Sequence, residues 1–239
     1  AADPALKALS DRDIPLILAS SKTAAEIAPL HRDLGLGDLP MIVENGAARV
    51  DPSAGVEADR SAYLRLRAAL DALPQILRHP YTGFGDLSDD EVAEITGLSP
   101  DNAALARKRA YTEPGLWSGD EPTLERFLAA LSESGISARR GGRFLTLSFG
   151  GTKAGQMQTI MQALGRDTAI ALGDAPNDVE MIEQAAYGVI VRNDHGADIP
   201  PLPGEKTGRI RRTSQPGPLG WHAAVLEILQ QTADPRTHS

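Results

Sequence analysis

An α/β fold is predicted for this chain: a parallel sheet with helices on both faces, interrupted by a smaller α+β insert. Three observations carry the prediction. Short apolar runs stand at residues 14–19, 41–43, 169–172 and 187–191, helical periodicities accompany them, and the texture changes between residues 51 and 149. Strands buried on both faces read as near-continuous apolar runs, and polar residues at their carboxyl ends form the usual ligand crevice of such sheets.

Taken in order, residues 4–9 read as the last turns of a helix, and the run 14–19 ends in Ser20-Ser21-Lys22-Thr23. Ile27, Leu30 and Leu34 then recur at helical spacing until Gly35. Thr23 with Glu26 three positions later makes a capping box, which starts this helix just past the serines and the lysine. The run 41–43 closes in Glu44-Asn45-Gly46, the run 169–172 closes in Gly173-Asp174, and 187–191 follows one helix later. In the middle, helical patterns fit 62–73, 89–96 (Ser88 and Glu91 forming the box), a stretch from Pro100, and 122–131. Residues 136–140 and 143–149 read as a hairpin about Gly141-Gly142, because paired glycines supply the positive φ of a tight turn. The expected organisation is a core domain in two parts, 1–50 and 150–239, with an inserted domain at 51–149. Residues 197–208, rich in proline and glycine, are read as a loop, and there is no internal repeat.

A chain of 239 residues with 41% hydrophobic content can bury a core of this size. It contains no cysteine, which excludes disulfides, thiolate metal sites and a thiol nucleophile. No apolar run has the length of a membrane span, and the first residues lack the basic-then-apolar order of a secretory signal, so a cytoplasmic location is expected. A net charge of -8 disfavours non-specific nucleic-acid binding, which needs a cationic face; the expected partner is a small phosphorylated molecule.

The sharpest chemical signal is Gly173-Asp174-Ala175-Pro176-Asn177-Asp178. Two carboxylates and an amide leave a buried strand together, a set of hard oxygen donors suited to Mg²⁺, although the same letters suit a turn in which Asp178 only caps the next helix. Ser20, Ser21 and Lys22 lie between a strand and a helix start, where hydroxyls, N–H groups and the helix dipole can converge on an anion; the alternative is a loop whose serines satisfy backbone groups. Lys153 opens a helix with apolar residues Met157, Ile160, Met161 and Leu164. A cation there opposes the macrodipole unless something anionic compensates, and otherwise it is a solvated lysine. Arg139, Arg140 and Arg143 flank the hairpin turn and are either a charged surface turn or guanidinium donors for carboxylate or phosphate. Asn45 and Gly46 also fit an ordinary turn. The histidines show no metal-ligand spacing.

In this order the pieces resemble the haloacid dehalogenase superfamily of phosphatases, in the branch whose cap is inserted between the second and third motifs. Leu18-Ala19-Ser20-Ser21-Lys22-Thr23, Val43-Glu44-Asn45-Gly46-Ala47, Gly141-Gly142-Arg143-Phe144-Leu145 and the motif from Gly173 to Asp178 look like those of the mannosyl-3-phosphoglycerate phosphatase family. The resemblance implies a Rossmann-like parallel core of the haloacid dehalogenase type with an α+β cap, and a Mg²⁺-dependent phosphatase releasing mannosylglycerate and phosphate. It implies that Ser20 donates to the transferring phosphoryl group and that Lys153 neutralises the phosphate and the nucleophile. Ser21, Lys22 and Asn45 would lie by the substrate, and Arg143, Arg140 and Glu113 would face its sugar and carboxylate from the cap. Asp174 would ligate Mg²⁺, with Asn177 and Asp178 completing or orienting that site. One bound phosphate would then touch Ser20, Lys153 and Asp174 together.

The resemblance also implies an Asp-x-Asp motif closing a first strand, whose first carboxylate forms an aspartyl-phosphate. Asp11-Arg12-Asp13 has the letters but precedes an apolar run, so it is read as a surface turn, and the motif is expected upstream of Ala1. With that strand missing, these residues alone are expected to be inactive. Rival expectations are a phosphatase of the same architecture acting on another sugar phosphate, such as glucosyl-3-phosphoglycerate, and a non-catalytic protein binding a sugar phosphate or a metal.

Overall fold

The computed structural model describes residues 2–52 and 59–233. In chain order the helices and strands are α1 (Asp3–Ser10), α2 (Ala24–Asp33), β1 (Met41–Val43), β2 (Ala48–Val50), α3 (Ser61–Asp71), α4 (Gln75–Arg78), β3 (Tyr81–Gly83), α5 (Asp89–Thr96), α6 (Pro100–Ala106), β4 (Thr112–Trp117), α7 (Glu121–Glu133), β5 (Ser137–Gly141), β6 (Phe144–Ser148), α8 (Lys153–Ala163), β7 (Ile170–Gly173), α9 (Val179–Gln184), β8 (Tyr187–Arg192), β9 (Ile210–Pro216) and α10 (Leu219–Ala233). They form two compact units, residues 1–16 with 153–239 and residues 17–152.

The first unit is built on a parallel sheet in the order β7-β8-β9, as the apolar runs predict. Side chains of β8 alternate between its faces. Val189 and Val191 pack with Ala224 and Ile228 of α10, while Ile190 packs with Ile182 of α9, Ile199, Leu202 and Ile210. Ala5 and Leu9 of α1 add to the α10 side against Val225 and Leu229. Complete burial of Ile182 and Ile228 contributes about 1.5–3 kcal/mol each. Residues 11–13 form an exposed turn, with Asp13 joined to Arg166 at 2.9 Å, as read from the sequence.

The second unit holds a four-stranded antiparallel sheet in the order β3-β4-β6-β5. Leu66 and Leu70 of α3, Leu77 of α4 and Leu124, Phe127 and Leu131 of α7 pack with Tyr81, Leu145 and Leu147 of the sheet. A smaller cluster joins Phe84 to Val92 of α5 and Ala103 and Ala106 of α6. Strands β1 and β2 form an antiparallel hairpin packed on Ala24 and Ile27 of α2.

Several sequence expectations are corrected. Residues 14–19 are no regular strand: a single parallel bridge joins Ala19 to Ile42, through Ile42 N–H to Leu18 O at 2.8 Å and Ser20 N–H to Ile42 O at 2.9 Å. The β5–β6 hairpin turns one residue later than expected, because Gly141 pairs with Phe144 and only Gly142, at φ +57°, takes the left-handed conformation. That is the arrangement of a II′ turn, where the first central residue must be the permissive one. Residues 17–50 fall in the same compact unit as residues 59–152. Among the described residues no helix is long and apolar enough to cross a membrane.

Candidate active site

Strand β7 delivers the chain into the loop 174–178 at its carboxyl end, where a short 3-10 turn, Pro176–Asp178, precedes α9. Asp178 folds back over this loop. Its Oδ2 accepts the N–H groups of Asp174 at 3.1 Å and Ala175 at 3.2 Å. Gly173 permits this closure, since a Cβ there would lie 2.3 Å from the Asp178 Cβ. Asp178 Oδ1 accepts Lys153 Nζ at 2.6 Å, and both side chains are buried. Removing two such charges from water costs several kcal/mol per ion, so the pair persists only with good geometry and further hydrogen bonds, which the two amides supply.

Two uncertainties of the sequence are thereby resolved. Asp178 makes no side-chain cap to α9, and Lys153, at the start of α8, is a buried cation compensated by a carboxylate rather than a solvated lysine. Asp174 is exposed beside them, and its Oδ2 accepts Asn193 Nδ2 at 2.7 Å. Asn193 stands immediately past β8, so the two meet at neighbouring carboxyl strand ends. Asn193 carries no signal in the sequence beyond its place after an apolar run.

Mg²⁺ takes one or two carboxylates and fills its remaining positions with water and substrate phosphate. Asp174 supplies such a carboxylate and Asn177 an amide in the same exposed loop, so the donor set fits. Asp178 fits an orienting role rather than a ligand position, because Lys153 holds one oxygen and two amides hold the other. Among the described residues no three His, Cys, Asp or Glu side chains gather as a metal cage, which Mg²⁺ does not require.

In the second unit, the expected capping box of Thr23 and Glu26 is present and fixes the start of α2. Ser20 Oγ accepts Lys22 N–H at 3.2 Å, and Lys22 Nζ pairs with Glu26 at 3.0 Å. Asn45 N–H donates to Ser20 O at 2.9 Å, which brings these two predicted residues together, and Glu44 N–H donates to Lys22 O at 2.9 Å. Arg109 donates to Ser21 O at 3.3 Å. Asn45 also lines a shallow cleft, open to solvent, together with Arg139, Thr146 and Ser148. Arg140 and Arg143 are exposed at the hairpin, the Arg143 guanidinium 5.8 Å from the centre of the Phe144 ring.

Glu113, assigned to the substrate by resemblance, is fully buried instead. Its carboxylate accepts Gly85 N–H at 2.9 Å and Arg67 at 3.4 Å, and it hydrogen-bonds the Tyr63 side chain. Burial, and then the Glu113 charge, push the Tyr63 phenol well above its ordinary range. The group therefore binds α3 to β4 in the interior, and presents nothing to a ligand.

A sequence profile of the haloacid dehalogenase-like hydrolases matches residues 121–197, a span that includes Lys153, Asp174, Asn177 and Asp178. Among solved structures, the chain is similar to a phosphatase of the haloalkanoate dehalogenase superfamily from Bacteroides thetaiotaomicron, with 18% identity, 95% of this chain and 86% of that chain covered, and a TM-score of 0.62. It is also similar to a sugar phosphatase of subclass IIB, with 16% identity, coverage of 97% and 90%, and a TM-score of 0.58. A haloacid dehalogenase-like hydrolase, also from B. thetaiotaomicron, gives 18% identity, coverage of 96% and 90%, and a TM-score of 0.54. The chain thus has the α/β fold of the haloacid dehalogenase-like hydrolases, and its residues 121–197 carry the sequence pattern of that family.

Proposed function

We propose that this protein is a cytoplasmic, Mg²⁺-dependent phosphatase of a phosphorylated sugar, with mannosyl-3-phosphoglycerate as substrate and mannosylglycerate and phosphate as products. The observation that carries the reading is the buried Lys153–Asp178 pair beside the exposed Asp174, at the carboxyl ends of adjacent parallel strands. A cation kept dry and held by a carboxylate is suited to meeting the charge of a phosphoryl group, where catalysis rests on positioning and on stabilising the equatorial oxygens.

In this reading Asp174 and Asn177 hold Mg²⁺, which when bound neutralises phosphate charge. Asp178 keeps the Lys153 ammonium in place and shapes the loop. Ser20 donates to the phosphoryl group, while Ser21, Lys22 and Asn45 line its surroundings and Arg140 and Arg143 meet the sugar acid. The structural similarity to a sugar phosphatase supports the substrate class, and the motifs around Ser20, Asn45 and Arg143 support the particular sugar. Phosphate release across a panel of esters, with and without Mg²⁺, tests it. For the full-length protein, mannosyl-3-phosphoglycerate is expected to be preferred over glucosyl-3-phosphoglycerate, and no Mg²⁺-dependent release from any ester by that full-length protein would overturn the reading.

A further inference from the structure

We propose that Glu44 is a positioning residue, whose buried carboxylate locks the entry of β4 onto the two loops carrying Ser20 and Asn45. Its effect on turnover rests on the phosphatase reading above; its effect on the loops does not.

Glu44 is 1% exposed and accepts four hydrogen bonds from one short stretch. They come from Ala110 N–H at 2.8 Å, Tyr111 N–H at 3.1 Å, Thr112 N–H at 2.8 Å and Thr112 Oγ1 at 2.8 Å. The Arg109 guanidinium lies 3.4 Å from the same carboxylate, donates to Thr112 Oγ1 at 2.7 Å and reaches Ser21 O at 3.3 Å. From the other side, the Glu44 N–H holds Lys22 O and the Asn45 N–H holds Ser20 O, each at 2.9 Å. The carboxylate of Glu44 and the backbone N–H groups of Glu44 and Asn45 together tie residues 110–112, the loop at 20–22 and the loop at 44–45 to one another.

The backbone carries an independent sign. Glu44 and Asn45 are consecutive non-glycine residues in the left-handed region, at φ +49° and +64°. Asparagine tolerates that conformation through its short polar side chain, but glutamate has no such local reason to adopt it. Such a conformation persists only where its surroundings over-determine it, and four hydrogen bonds to the carboxylate do so. The strained pair then presents Asn45 into the cleft that Arg139 also lines.

The test compares hydrogen–deuterium exchange and steady-state kinetics of the wild type and Glu44→Gln. Amides 110–112 and those of Glu44 and Asn45 are expected to exchange at least about tenfold faster in the variant, with the α7 core unchanged. Turnover is expected to fall about tenfold or more with KM nearly constant, because misplacing a positioned group costs rate rather than binding. Acceleration confined to 110–112, with residues 44 and 45 still protected and kcat unaltered, would reduce Glu44 to a structural fixture and overturn the proposal. If Glu44→Gln does not fold, Thr112→Val, which removes one of the four bonds, decides by the same exchange pattern at smaller amplitude. A full-length wild type that hydrolyses no ester removes the phosphatase reading, and exchange at residues 44 and 45 still decides the positioning role.

Discussion

The two compact units each bury an acidic side chain beside a base, and they hold it in opposite ways. Asp178 is shared between two amides and one ammonium, whereas Glu44 is enclosed by four hydrogen bonds with a guanidinium at 3.4 Å. Lys153 donates to Asp178 at 2.6 Å through one of the three N–H groups of its ammonium. At Glu44 three of the four bonds converge on Oε2 and one reaches Oε1. Burial alone therefore does not mark a catalytic charge; the two sites differ in what holds the carboxylate, a mobile ammonium at Asp178 and mainly backbone amides at Glu44.

The largest expected effect tests the ammonium side. Lys153→Ala should lower kcat by roughly three orders of magnitude, about 4 kcal/mol of transition-state stabilisation, measured on the preferred ester. A loss smaller than about tenfold, ~1.4 kcal/mol, breaks the functional half of the comparison.

Stability should separate the two pairs in the reverse sense. Glu44→Ala leaves three amides, a hydroxyl and a buried guanidinium without their partner, and a cost of about 3–5 kcal/mol is expected in urea unfolding. Asp178→Ala is expected to cost less, about 2 kcal/mol, because a lysine at a helix start can swing its long stem toward water. Equal losses would erase the distinction between the two sites.

A third carboxylate sharpens the comparison through pH. Burial pushes Asp86 up, but hydrogen bonds from Arg67, Gly83 N–H and Arg78 outweigh it and hold the group below its ordinary value. A carboxylate depressed on folding contributes stability in full above its unfolded pKa of about 3.9, and the contribution is lost as pH falls through the folded value. Asp86→Asn should therefore cost about 2 kcal/mol at pH 7 and progressively less as pH falls below about 3.9. Urea midpoints across that range check it, and a pH-independent difference would mean that packing rather than charge is being removed.

Legibility in the sequence followed the same physics. The strands β7 and β8 and the capped helices α2 and α5 declare themselves through unbroken apolar runs and through Ser or Thr three residues ahead of Glu. Strand β4 does not, because Glu113-Pro114-Gly115 reads as a chain breaker although it lies inside the antiparallel sheet. Strand β9 is hidden for another reason: it is an edge strand of mostly exposed polar residues, without the apolar run that marks its neighbours. At the candidate site, Asp174 and Lys153 were visible from their places at a strand end and a helix start. Asn193 and the bonds from Glu44 to residues 110–112 were not, since each depends on contacts between segments distant in sequence.

The smallest effect concerns Lys22, where a surface ion pair and a proposed substrate contact make opposite forecasts. Lys22 is half exposed and pairs with Glu26 one helical turn on, an arrangement worth about 0.3–0.5 kcal/mol. Lys22→Ala should barely move the urea midpoint. Glu26 keeps its bond to Thr23 N–H at 2.8 Å, so the helix start survives without the lysine. If Lys22 serves only this pair, KM will also stay where it is; if it attracts the anionic substrate, KM should rise about threefold to tenfold at low salt and the difference should shrink as added salt screens it. Kinetics at two ionic strengths separate the cases, and an unchanged KM at both returns Lys22 to the surface and leaves Ser20 and Asn45 as the contacts proposed for that loop pair.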